Sequence, residues 1–298
     1  MLQVLVNVLF PVFAIVAVGF VIARTVDVRP PALATLSYWV LGPAFIFDVL
    51  ATADLDPGVV GRVVISSALA MAVAGIAAGM TMRIVGVSFS KLAATVLTSI
   101  YGNVGNFGLA ISAFALGESV LPIAGIVMVT VNTLGILVGV GLASVRHGSA
   151  WRAVRTAVLS PLALAVVPAL MVNVSNLDLP VWADRPISLL AAALIPVMLL
   201  TLGIQLALMP RVIPEPIVAA PLGIKLIVTP LAAVGIIGLL GLTGAPGDVV
   251  VLQAAMPAAV FTSLIALEHN LEADYVTSVV LTGTLVSAVT LPIVISWL

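Results

Sequence analysis

Gly102–Ser112 reads GNVGNFGLAIS, inside the stretch 92–116, LAATVLTSIYGNVGNFGLAISAFAL, which is otherwise apolar enough to cross a bilayer. Its centre works against that role. Each of Gly102, Gly105 and Gly108 weakens a helix by about 1 kcal/mol relative to alanine, and each asparagine brings polar groups that hydrocarbon does not solvate. Non-helical backbone at membrane depth survives only where protein or a watery cavity satisfies it. Asn103 and Asn106 can bond such a freed backbone or present amides to a ligand. The other reading of a glycine-rich membrane helix is close packing on a neighbour, which Gly75-xxx-Gly79 and Gly135-xxx-Gly139 suit.

The surrounding composition places this stretch in a membrane. Of 298 residues, 62% are hydrophobic and 8% charged, with a mean hydropathy of +1.33; soluble domains carry roughly 45–50% apolar and about 25% charged residues. The apolar runs are long and continuous, which specifies helices, because barrel strands alternate over segments of roughly 10 residues. The formal net charge of −1 points to no partner, and no basic tract suggests nucleic acid. There is no cysteine, which excludes disulfides, thiolate catalysis and thiolate metal sites. The first residues, MLQVLVNVLFPVF, lack the positive region that opens a signal peptide and read as the first span.

A span needs about 20 apolar residues. Charge clusters and turn residues divide the chain into ten: 2–23, 32–51, 59–82, 92–116, 119–144, 153–173, 186–209, 215–241, 248–267 and 274–298. Loops 1–2, 3–4, 5–6, 7–8 and 9–10 hold Arg24, Arg29, Arg83, Lys91, Arg146, Arg152, Arg155 and Arg211, whereas the opposite side holds Arg62 and Arg185 among Asp54, Asp56, Glu118, Asp178, Asp184 and Asp248. The positive-inside rule makes the first set cytoplasmic. With an even number of spans, both termini then lie outside and the 144–153 loop lies in the cytoplasm.

The two halves, 1–149 and 150–298, resemble each other at a shift of about 153 residues. WVLGPAFIF aligns with AALIPVMLL, placing Pro43 on Pro196; VNTLGILV around Asn132 aligns with TGTLVSAV around Thr284; and GNVGNFG falls on AAMPAAVF of span 9. Five spans per half is an odd number, so the second half enters the membrane inverted. Pro257 in span 9 lacks a backbone N–H and frees a carbonyl one turn earlier. Inverted repeats with helix breakers at corresponding places are a transporter signature, with the half-helix ends meeting near the midplane. The expectation is an all-α membrane protein of ten helices in a 5+5 inverted repeat. Spans 4 and 9 break near Gly105 and Pro257 and cross; half-helix N-termini would face anions there, and freed carbonyls cations.

The Pro-bearing second span YWVLGPAFIF, the fourth-span YGNVGNFGL, the ninth-span AMPAAVFTSLIALEHN and the closing VLTGTLVSAVTLPIVISWL together resemble the auxin efflux carrier family. That family is a branch of the bile-acid/arsenite/riboflavin transporter superfamily, whose crossover of broken helices is like that of sodium/proton antiporters. The resemblance covers essentially the whole chain and is most specific across spans 9 and 10. It implies secondary transport of organic anions such as auxin, malate or malonate. It also implies a moving unit of spans 3–5 and 8–10 on a scaffold of spans 1, 2, 6 and 7, with a homodimer formed through the scaffold. One departure is that family members often carry a proline in the fourth-span crossover, where Phe107, Gly108 and Leu109 offer only glycine. The length, without a long central loop, looks like that of a prokaryotic member in the cytoplasmic membrane.

Polar residues within the spans supply the candidate site. Lys225, in PLGIKLIVTP, sits well inside span 8, where a charge costs at least ~2.5–3.5 kcal/mol, so it should face the protein interior. It can counter a substrate carboxylate, replace a coupling sodium, carry a proton, or simply bond half-helix carbonyls. Asp48, in AFIFDVLATADLD, is the second candidate proton site, although it lies close enough to the outer end of span 2 to reach water. Asn103, Asn106, Asn132 and Gln253 can line the cavity, with Gln205 nearer the interface. Thr262 and Ser263 follow Pro257 by about a turn, unless their hydroxyls bond their own helix. Glu268 and His269 read as solvated, and His147 among arginines gives a metal little support. No HExxH and no G-x-S-x-G appears, which speaks against an enzyme. The predicted function is a secondary transporter or uniporter of a small organic anion, working without a cofactor. A proton or sodium as coupling ion stays open, as do a sodium-coupled bile-acid-type symporter, a cation/proton antiporter, a channel and a receptor.

Overall fold

The computed structural model describes residues 2–28, 30–144, 150–210 and 215–298. Arg29, Arg146, His147 and Arg211 of the sequence reading lie outside them. The described chain is helical throughout, and its one β element is an isolated antiparallel bridge between Gly102 and Ala258. Among the described residues, seven helices are long and apolar enough to cross a membrane: α1 (Leu5–Thr25), α2 (Pro31–Ala51), α3 (Pro57–Val85), α6 (Glu118–Leu142), α9 (Val181–Leu208), α10 (Pro216–Leu239) and α13 (Ala273–Ile295). This makes the chain a multi-pass membrane protein. The other predicted spans hold shorter pieces: α4 (Phe89–Ile100) and α5 (Val104–Leu116) share span 4, α7 (Ala150–Val158) and α8 (Pro161–Ser175) span 6, and α11 (Ala245–Ala254) and α12 (Phe261–Glu268) span 9.

Local chemistry explains the helix ends. Asp56 accepts the Gly58 N–H at 2.7 Å and Pro57 opens α3, whereas Gly86 ends it in the left-handed region at φ 75°; a side-chain acceptor at the start and a residue free of Cβ strain at the end are what those positions require. Ser88 and Ser160 cap α4 and α8 in the same way. Four turns are widened to π-helix, at Leu5–Leu9, Ser37–Leu41, Val104–Gly108 and Ile224–Val228. Three of these directly precede a proline. Phe10, Gly42 and Thr229, each immediately before Pro11, Pro43 or Pro230, donate to the carbonyl five residues back, of Leu5, Ser37 and Ile224. A proline ring collides with the carbonyl four residues earlier, and widening the turn carries that carbonyl aside.

Packing divides the helices into two groups. α1 lies along α9, and α2 packs on α8 and α9; α3 packs on α4, α6 and α10, and α11 on α3, α6 and α10, with α13 against α4. Contact between the groups runs through α2 and α8 with α6, through α9 with α5, and through the start of α1 with α5 and α13. Glycines set the closest approach. A Cβ on Gly19 would overlap the Leu200 carbonyl, and one on Gly203 would overlap the Val16 carbonyl, so α1 and α9 touch backbone to backbone. The expected glycine pairs are less uniform: Gly75 meets Ile100 and Gly139 meets Leu97 and Ile265, but Gly79 faces open space and Gly135 makes room for the Tyr101 ring.

Candidate functional site

Both predicted helix breaks are present, and they satisfy each other. α4 ends at Ile100; Tyr101 is extended, with φ −97° and ψ 90°, and helix resumes at Val104. The break therefore falls at Tyr101–Asn103, a few residues before the predicted Gly105. On the other strand, α11 stops at Ala254 and α12 begins at Phe261, bracketing Pro257. The Asn103 N–H donates to the Pro257 carbonyl at 2.7 Å, and the Ala259 N–H donates to the Tyr101 carbonyl at 2.9 Å. Two backbone segments that no helix could satisfy thus satisfy one another, as burial demands.

A cavity of about 280 Å³ opens on one side of this crossing. Asn103, Gly105, Asn106 and Asn132 line it, together with residues the sequence reading did not single out: Ser37, Tyr38, Trp39, Tyr101, Thr201 and Phe261. Gln205, expected nearer the interface, lines it as well. Among the described residues, none of the lining side chains is charged. The Tyr101 hydroxyl donates to Asn132 Oδ1, and its ring packs edge-on against Phe261 at 6.0 Å. Three polar atoms on the lining residues are buried without a hydrogen-bond partner: Ser37 Oγ, Asn103 Nδ2 and Gln205 Oε1. An unpaired buried polar group costs about 1–3 kcal/mol; as the side chains stand, all three atoms are sealed from the cavity, and they would meet a polar guest by turning towards it. The first turns of α5 and α12 also border the cavity through Gly105, Asn106 and Phe261. A helix N-terminus carries unsatisfied N–H groups and roughly half a positive charge.

Lys225 and Gln253 are on the other side of the crossing. They border a separate void of about 20 Å³ with Ser67, Gly102 and Thr229, room for about one water. Lys225 is 3% exposed and its Nζ donates to the Ala254 carbonyl, the last of α11, at 2.8 Å. Of the roles expected for it, the structure shows the bond to a half-helix carbonyl and no contact with the large cavity. Gly102 is the partition: its backbone borders both spaces, and a Cβ there would lie 3.1 Å from the Lys225 Nζ. Gln253 Nε2 donates to Ser112 Oγ at 3.1 Å and its amide fills the space left by Gly108. The Thr262 hydroxyl bonds the Ala259 carbonyl of its own chain at 2.7 Å, and Ser263 does not line the cavity. Asp48 accepts from Ser188 Oγ at 2.6 Å and is likewise absent from the lining. The ion pair among the described residues, Lys91 with Glu215 at 2.6 Å, ties the starts of α4 and α10 together above the Tyr275 ring.

The sequence profile of a family described as "Membrane transport protein" matches residues 147–295. An uncharacterized transporter of Methanothermobacter thermautotrophicus is 27% identical over 256 residues, covering 84% of this chain and 83% of that protein. Auxin efflux carrier component 6 of Arabidopsis thaliana is 32% identical over 114 residues, covering 38% of this chain and 20% of that much longer protein.

Proposed function

The chain belongs to the membrane transport protein family, that of the auxin efflux carriers, and we propose that it carries a small organic anion across a prokaryotic cytoplasmic membrane by alternating access. The observation that carries the reading is the pairing of two broken helices beside a cavity in which Asn103, Asn106, Asn132 and Gln205 stand among apolar side chains. Several features there favour an anion. Asn103 has an unpaired amide nitrogen, the first turns of α5 and α12 both border the space, and no carboxylate among the described residues lines it. Hydrogen bonds to a charged guest contribute about 1.5–3 kcal/mol each.

In this reading the ten spans form a 5+5 inverted repeat. The group around α3, α4, α6, α10, α11 and α13 moves as an elevator against the group of α1, α2, α8 and α9, which also forms the dimer. The cavity reaches Pro31, Ala34 and Thr35 at the start of α2 and Gln205 near the end of α9. Those helix ends adjoin the arginine-bearing loops, which supports reading the cavity as open to the cytoplasm, with both termini outside. Lys225 acts from behind the crossing, holding the end of α11 without touching the substrate.

Uptake by purified protein in liposomes tests the proposal. Saturable entry of a labelled carboxylate, stimulated by unlabelled carboxylate trapped inside, is the expected result, and repeating it with and without sodium and a pH gradient identifies the coupling. Unitary currents without counter-stimulation would assign a channel instead.

A further inference from the structure

The cavity wall is breached towards the bilayer. On α2 the lining residues include Ala34, Tyr38 and Gly42, whereas the neighbouring stripe Ala32, Leu36 and Val40 is exposed on the outer surface. In a closed wall, a row of side chains buried against another helix would separate the two stripes. Here Thr35 and Trp39 belong to both: each lines the cavity and each is exposed, Trp39 by 62%. α12 has the same arrangement opposite. Phe261 and Leu264 line the cavity yet are 42% and 43% exposed, and Leu267 at the next turn is 67% exposed. α12 packs on α4, α6 and α13 and faces α2 across the cavity.

Trp39 stands near the middle of the 21-residue α2, and Phe261 stands at the crossing itself. At about 1.5 Å per residue, Trp39 is roughly 12 Å from the start of its helix, within a hydrocarbon layer about 30 Å thick. The exposed rim is aromatic and aliphatic apart from Thr35, whereas a vestibule filled from water alone has no need of such a rim at that depth.

We propose that this seam is a lateral portal, through which the cavity takes an amphipathic weak acid directly from the bilayer. The carboxylate would reach Asn103 and Asn106 while the apolar body still lies between Trp39 and Phe261. The inference rests on the anion reading of the cavity for the identity of its guest, but the opening itself stands on geometry.

The native chain has no cysteine, so single nitroxide labels can be placed cleanly at Leu264→Cys, Leu267→Cys and Asn106→Cys in liposomes. The expected result is that the label at 264 relaxes with molecular oxygen as the lipid-facing 267 does, and is shielded from a water-soluble nickel chelate that reaches 106. A label at 264 that behaves like 106 overturns the portal. A second arm uses 4-alkylbenzoates and the thermal shift of the unaltered protein in nanodiscs. Each added methylene should raise affinity about fourfold, and the gain should continue for chains too long for the cavity to enclose. A gain that reverses at that length overturns the portal. If benzoate and all its derivatives fail to bind while 264 remains oxygen-accessible, the anion reading falls and the portal stands.

Discussion

Gly203 and Gly102 are the same residue put to opposite uses. Along α1 and α9, Gly19 and Gly203 bring two unbroken helices together until carbonyls occupy the space that side chains would need. Neither partner can yield there, because what lies opposite is backbone. At the crossing, Gly102, Gly105 and Gly108 stand opposite Lys225, Met198 and Gln253, whose side chains have rotamers to spare. The first arrangement fixes two helices as one body. The second leaves room filled by side chains that can shift, and at Gly105 and Met198 that room is part of the cavity wall. A glycine in a membrane helix is thus read from what faces it.

The largest effect should follow from breaking the first arrangement. Gly203→Ala forces a methyl into the Val16 carbonyl, and overpacking against backbone should cost about 3 kcal/mol or more; thermal unfolding in detergent measures it. A change below about 1 kcal/mol would mean that α1 and α9 slide freely, and the contrast would fail. Next is Lys225→Ala, which leaves the Ala254 carbonyl unpaired in a buried place at a cost of about 1–3 kcal/mol. The substitution should lower the melting temperature, while carboxylate affinity in the surviving protein falls only modestly. Loss of affinity with unchanged melting would return Lys225 to the binding site.

Tyr101→Phe removes the bond to Asn132 but keeps the ring against Phe261. It should cost about 1 kcal/mol and sharpen the comparison by showing that the cavity wall tolerates adjustment. The smallest change in stability belongs to Asn103→Ala. Its buried Nδ2 has no partner to lose, so the substitution should leave stability unchanged or raise it, while carboxylate affinity drops about tenfold or more. Isothermal titration on the variant checks the second half. An unchanged affinity would place the anion elsewhere.

The broken helices were legible in the sequence because their cause is local: glycines and amides in span 4 and Pro257 in span 9 each weaken a single helix. Where the breaks fall was less so. The stop at Tyr101–Asn103 depends on Pro257 and Ala259 offering partners at that level, which is a matter of how two distant segments meet. Lys225 was correctly read as buried, since a charge in a span must turn inward, but a sequence carries no sign of which side of a one-strand partition it occupies. Gln205 does lie near the end of its helix, as its place in the sequence implies, yet it lines the cavity because the cavity extends to that end, and Asp48 has no visible partner in the sequence because Ser188 is 140 residues away. The Gly19–Gly203 contact joins different helices, so no spacing within either could announce it, whereas the familiar spacing of Gly75 and Gly79 led to one glycine with nothing opposite.

The widened turns bear on how this chain can change length. A helix turns about 100° per residue, so removing one residue from an ordinary span swings everything beyond it to a new face and exchanges lipid for protein contacts. A π turn already accommodates one residue more than its α neighbours need. Deleting a residue within Ile224–Val228 would close that turn to α-helix and leave both flanks aimed as before. The same holds at Leu5–Leu9 and Ser37–Leu41, which makes these turns the places within their spans where a single-codon deletion can pass without scrambling the helix, provided that the proline that follows finds another way to clear its carbonyl.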